Sequence, residues 1–137
     1  MSRIVLISCV SKKLKKPAKA RDLYVSPLFK LNLAYAESLK PDAVYILSAK
    51  HGLVPLEKTL APYNETLNTK RVSEIDAWAA RVRTQLRRVA DFERDEFIFL
   101  AGERYRRYLI PHLRRTKIPL KGLGLGRQLQ FLKKALV

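Results

Sequence analysis

Arg3-Ile4-Val5-Leu6-Ile7-Ser8-Cys9 is the stretch on which the fold turns. Its apolar run is too short for a helix and does not alternate with polar residues, which is the pattern of a strand covered on both faces. Two further stretches share that character, Ala43 to Ala49 (Ala-Val-Tyr-Ile-Leu-Ser-Ala) and Glu96 to Ala101 (Glu-Phe-Ile-Phe-Leu-Ala), and each ends in small or polar residues where a strand opens into a loop. Between the first two strands, Ser26-Pro27 reads as an N-cap with proline at the first helical position. Leu28, Leu31, Tyr35 and Leu39 follow at helical spacing until Pro41 stops the helix. Between the second and third strands, Ser73-Glu74-Ile75-Asp76 resembles a capping box, and Ile75, Trp78, Ala79, Val82, Leu86 and Val89 form one apolar stripe of helical period. Trp78 on that stripe is expected in the core, not on a nucleic-acid base. A fourth helical segment starts near Glu103 and is interrupted at Pro111; a last one runs from about Arg127 to Leu136, behind the turn Gly122-Leu123-Gly124-Leu125-Gly126.

Strands alternating with helices spell a parallel sheet joined by crossovers. The expected fold is a compact three-layer α/β sandwich with a mainly parallel central sheet, and 137 residues suffice for one domain spanning 1–137. Such sheets bind ligands beyond the carboxyl ends of their strands. Here that edge carries Ser8-Cys9 and its Lys-rich loop, Ser48-Ala49-Lys50-His51-Gly52, and Ala101-Gly102-Glu103-Arg104. One cysteine cannot build a disulfide framework or a multi-cysteine zinc site. The chain starts without a cleavage-site pattern and has no apolar run near the ~20 residues of a spanning helix, so a soluble, cytoplasmic protein without a membrane partner is expected.

The charge is the most informative number, with 28 basic residues against 12 acidic for a net +16. Residues 1–21 carry seven Lys or Arg and residues 104–137 carry ten, with no carboxylate in either segment. All 12 acids lie between Asp22 and Glu103, so the excess is segregated to the two ends. Self-repulsion of that size is relieved by a polyanion, and nucleic acid is the expected partner.

Leu47-Ser48-Ala49-Lys50-His51-Gly52-Leu53-Val54-Pro55 and Ala61-Pro62-Tyr63-Asn64-Glu65-Thr66-Leu67 are the segments in which a family resemblance begins. With Ser8-Cys9-x-x-Lys12-Lys13, Tyr24-x-Ser26-x-x-Phe29, Gly102-x-x-Tyr105 and the closing Gly-x-Gly-x-Gly-x-Gln, the chain resembles a small prokaryotic family related to the YaaA peroxide-stress proteins. The likeness runs from the first strand to the last helix. It implies a fold like that of the uracil-DNA glycosylases and a role on DNA. The glycosylases carry a water-activating acid soon after the first strand; here the loop is Ser-Cys-Val-Ser-Lys-Lys and the first carboxylate is Asp22.

Excising a base requires an extruded nucleotide, a ring to stack on it, polar groups to read its edge and a group to orient water. Under that reading His51, Asn64 and Asp22 are the catalytic candidates. Tyr24, Phe29 and Tyr63 are candidate stacking rings, with Ser8, Ser26 and Ser48 as polar contacts and Lys12, Lys13, Lys50, Arg104 and Arg127 as phosphate contacts. The plainer alternatives are a His51 that satisfies loop backbone, and Tyr24 and Tyr63 as core aromatics whose hydroxyls reach water. Cys9 reads as a small hydrophobe at a strand end, not a nucleophile. The glycine-rich turn lacks a preceding strand and the spacing of a dinucleotide fingerprint, so no cofactor is expected. The sequence thus points to a monomeric nucleic-acid-binding protein, DNA in preference to RNA. Removal of a damaged base and non-catalytic binding both fit, while a small-molecule enzyme fits the segregated charge poorly.

Overall fold

Strand β1 (Arg3–Ser8) runs through the middle of a five-stranded sheet, in a computed structural model that describes residues 1–8 and 12–137. The expectations for Cys9 and for the adjoining Val10 and Ser11 lie outside the described residues. On one side β1 pairs in parallel with β3 (Ala43–Ser48), and on the other with β6 (Glu96–Leu100). Between β1 and β3 the chain forms a short strand β2 (Ala18–Lys19), a one-turn helix α1 (Ala20–Leu23) and helix α2 (Pro27–Ser38). After β3 come β4 (Gly52–Pro55), β5 (Thr59–Leu60) and helix α3 (Val72–Arg87). After β6 come the one-turn α4 (Glu103–Arg106), β7 (Arg115–Lys117) and α5 (Leu125–Ala135).

The reason β1 is apolar without alternation is visible in its packing. Val5 and Ile7 enter one core with Phe29, Leu33 and Ala36 of α2 and Leu132 of α5. Ile4 and Leu6 face the opposite core with Ile75, Trp78, Ala79, Val82 and Leu86 of α3. Helices therefore cover both faces of a mainly parallel sheet, giving three layers, as β1, β3 and β6 led us to expect.

Three features of the sheet were not anticipated. β4 turns back antiparallel on β3, β7 extends the far edge in parallel with β6, and β2 pairs with β5 in a separate two-stranded ribbon. Helix boundaries also moved. Ser26 does cap α2, its Oγ accepting the Phe29 N–H at 3.2 Å. The N-cap of α3 is Arg71 and not Ser73, because Glu74 reaches back to the Arg71 N–H at 3.1 Å and draws Val72 and Ser73 into the first turn. Val89 falls beyond α3 and is 49% exposed, so it leaves the apolar stripe. The segment from Glu103 stops after one turn, with Pro111 inside a separate 3-10 turn at Ile110–His112, and α5 begins at Leu125.

Acidic residues gather at the amino ends of the strands. Asp95 accepts the Ser2 and Asp91 N–H groups, each at 2.7 Å, and those backbone donors hold its carboxyl below the usual range. Asp42 accepts the Arg3 N–H, Glu96 pairs with Arg3 at 2.9 Å and Lys117 at 3.2 Å, and Glu93 lies 3.7 Å from Arg114. Exposed pairs of this kind add little stability. Among the described residues, no helix is long and apolar enough to cross a membrane.

Candidate functional site

At the opposite edge the three central parallel strands, β1, β3 and β6, end in Ser8, Ser48 and Leu100. Helix α3 fixes the loop after β3 by three side chains on one of its faces. Trp78 Nε1 donates to the Ser48 carbonyl at 2.8 Å, Arg81 to the Lys50 carbonyl at 2.6 Å, and Gln85 Nε2 to the His51 carbonyl at 3.3 Å. Gln85 Oε1 also accepts the Leu53 N–H at 2.9 Å. Gly52 between them has φ +74°, and a Cβ there would collide with Gln85 Oε1. Gly52→Ala should therefore lose about 1–2 kcal/mol to the left-handed backbone and about 1 kcal/mol more with the displaced hydrogen bond. A chemical melt reads that loss directly, and an unchanged midpoint would contradict it.

Several sequence-predicted residues do meet at this loop. Ser48 Oγ bonds the Tyr63 hydroxyl at 2.7 Å and accepts the His51 N–H at 3.0 Å. The Tyr63 hydroxyl also bonds that of Tyr24, and the His51 ring stands edge-on to Tyr63 at 5.3 Å between centroids. Lys13 lies over the Tyr63 ring at 4.5 Å and pairs by backbone with Tyr24. Burial lowers the His51 pKa from its ordinary value, and Lys50, Lys58 and Arg81 push the same way against Glu65.

This cluster is closed, not open. Tyr24 is 1% exposed, Phe29 0% and Ser48 0%, and the Tyr24 and Phe29 rings pack 5.1 Å apart. The stacking role considered for Tyr24 and Phe29 is thus corrected: both are core aromatics, and a base cannot reach them in this arrangement. Tyr63 is 9% exposed and joins the same apolar core. Ser26 is half-buried, and its Oγ caps α2. Asn64 and Asp22 are exposed, Asp22 on α1 and Asn64 on the segment after β5. Lys12 and Lys50 are exposed on the loops after β1 and β3, and Arg127 is exposed in the first turn of α5.

One open space lies elsewhere on the same edge, beyond β1 and β6. A cleft of about 330 Å³ is bounded by Ser8, by Leu28 and Asn32 of α2, by the 100–106 segment, by Asn68 and by the start of α5. Ser8 Oγ accepts the Gly102 N–H at 3.2 Å and joins the two strand ends. The chain leaving β1 passes to α2 on one face, while Tyr105 of α4 packs in the core on the other, so the cleft occupies a point where the connections diverge. Of the predicted residues only Ser8 and Arg104 line it. Glu103, from the expected strand-end edge, and Gln128, from the closing glycine motif, line it too, as do Asn32, Asn68 and Arg106, which were not anticipated. The strand-end segment Ala101-Gly102-Glu103-Arg104 and the closing glycine motif were the signals in the sequence that pointed toward this cleft.

An open, mainly parallel sheet with helices on both faces and a polar cleft at its carboxyl edge places the protein in the open-sheet α/β class. A family model described as a family of unknown function (DUF6884) matches residues 4–134, and the chain belongs to that family. No curated protein and no solved structure matches it.

Proposed function

We propose that this is a cytoplasmic nucleic-acid-binding protein, DNA being its principal ligand, which approaches the polymer with the carboxyl edge of the sheet. The observation that carries the reading is the set of unpaired cations around the carboxyl edge. At the amino edge Glu93, Asp95, Glu96 and Asp42 are matched to Arg114, Arg3, Lys117 and backbone donors. At the carboxyl edge Lys12, Lys15, Lys16, Lys50, Arg104, Arg106, Lys121 and Arg127 form no ion pair among the described residues. A phosphate backbone rewards cations left free in this way. The resemblance to the YaaA-related proteins points the same way.

Base excision, with a fold like that of the uracil-DNA glycosylases, is the second reading, and one observation favours it. The cleft holds the Glu103 carboxylate together with the Ser8 hydroxyl and the Asn68 and Gln128 amides, which is the equipment for orienting water beside a base. Incubation with duplexes carrying modified bases, followed by alkali, tests both readings. Complexes without strand scission support binding alone. Scission that disappears in Glu103→Gln while complexes persist supports excision. No complex with any oligonucleotide at low salt would overturn both.

A further inference from the structure

Asn32 is only 4% exposed, and its Oδ1 has no hydrogen-bond partner among the described residues. A buried carboxamide oxygen without a donor destabilises a fold, and its retention calls for a reason. Asn32 lies on the wall of the cleft beyond β1 and β6. The same cleft is bounded by Gly124 and Leu125 at the start of the 11-residue helix α5. Gly124 caps that helix without a side-chain hydrogen bond, so the first-turn amides of Leu125, Gly126 and Arg127 have no intrahelical acceptor. Amides in that position, at the positive end of a helix dipole, receive anions.

We propose that the cleft binds one nucleotide, its phosphate on the α5 amides and an N–H or O–H group of its base or sugar donating to Asn32 Oδ1. The volume of about 330 Å³ is within the range of small-ligand sites. Arg104 and Arg106 of α4 add positive charge to the walls, and the free amides at the start of α5 supply the directed donors for the phosphate. The proposal rests on the nucleic-acid reading for the source of the nucleotide, which is one unit of a polymer, but its chemistry is that of a free mononucleotide as well.

Two substitutions separate a ligand role from a structural one. Asn32→Leu keeps the volume and removes the unpartnered oxygen, so the thermal midpoint should stay or rise. Leu125→Pro removes one first-turn amide at a position where proline suits a helix, and Gly124 before it is already extended at φ −72°, ψ 170°. Calorimetric titration of the full chain uses the common nucleoside 5′-monophosphates, the matching nucleosides, and a short single strand with and without one abasic position. At least one monophosphate should bind tighter than its nucleoside, and Leu125→Pro should remove that advantage. Asn32→Leu should weaken the same monophosphate by about tenfold with no loss of thermal stability. Weaker binding of the abasic strand supports the polymer as the source. Binding of monophosphates without any binding of strands supports the cleft and removes the nucleic-acid reading. Steeply salt-dependent strand binding with no monophosphate binding and no effect of Asn32→Leu overturns the cleft and leaves that reading standing. A lowered midpoint of Asn32→Leu with unchanged affinity overturns it too.

Discussion

Trp78→Ala should lower the stability of the fold by about 3–5 kcal/mol, the range for truncating a large buried aromatic. Trp78 is 7% exposed within the apolar core of α3, among Ile75, Ala79 and Val82, and stands edge-on to Tyr105 at 5.6 Å between ring centroids. Its Nε1 donates to the Ser48 carbonyl at 2.8 Å, so truncation also strips a buried acceptor at the end of β3. The loss should appear in chemical or thermal melts, on a domain whose total stability is expected at about 5–15 kcal/mol. Because the Ser48 carbonyl belongs to the loop that carries Lys50 and His51, the variant should also loosen that loop before the sheet opens, which hydrogen exchange at His51 and Leu53 would register. Full stability with loss of nucleic-acid binding alone would place Trp78 on the surface and contradict the packing.

The parts of the fold that could be read from the sequence are those in which one physical requirement dominates several consecutive residues. β1, β3 and β6 are buried on both faces, and nothing but an apolar, β-branched or aromatic run satisfies that. α2 and α3 each bury one stripe against the sheet, and Ser26 with Pro27 marks a start that few other sequences would serve. β4, β7 and the β2–β5 ribbon are short pieces at edges, half exposed and chemically mixed. Gly52-Leu53-Val54-Pro55 becomes a strand because β3 offers it a pairing edge and α3 holds its Leu53 N–H, neither of which is local information.

The candidate site was harder to read for the same reason. The residues around His51 are close in sequence or lie on flagged loops, so their meeting with Tyr24 and Tyr63 was visible, although the burial of those rings was not. Asn32 stands four residues after Leu28 and three after Phe29, on the apolar stripe of α2, where a polar side chain by itself does not announce a cleft. Only the approach of α5 and of the 100–106 segment, far along the chain, turns its surroundings into a cleft. Gln85 and Arg81 are similar: polar residues of an amphipathic helix that hold backbone carbonyls of a distant loop.

The affinity for duplex DNA should collapse with salt. Each phosphate neutralised by a lysine or arginine contributes about −0.9 to the slope of log affinity against log salt, so contact with about six phosphates gives a fall of about a thousandfold between 50 and 200 mM. The carboxyl edge supplies the cations for such a footprint, since Lys12, Lys15, Lys16, Arg104, Lys121 and Arg127 have no carboxylate partner among the described residues. At the amino edge Arg3 and Lys117 share Glu96, and Arg114 lies against Glu93. The decisive measurement is therefore a salt titration of duplex affinity for the wild-type chain beside two double variants. Lys12→Ala with Arg104→Ala, at the carboxyl edge, should weaken binding to every sequence and flatten the slope by up to about two units. Arg114→Ala with Lys117→Ala, at the amino edge, should leave both unchanged. A flat salt response, or equal losses from the two edges, would contradict the assignment of the carboxyl edge as a nucleic-acid interface.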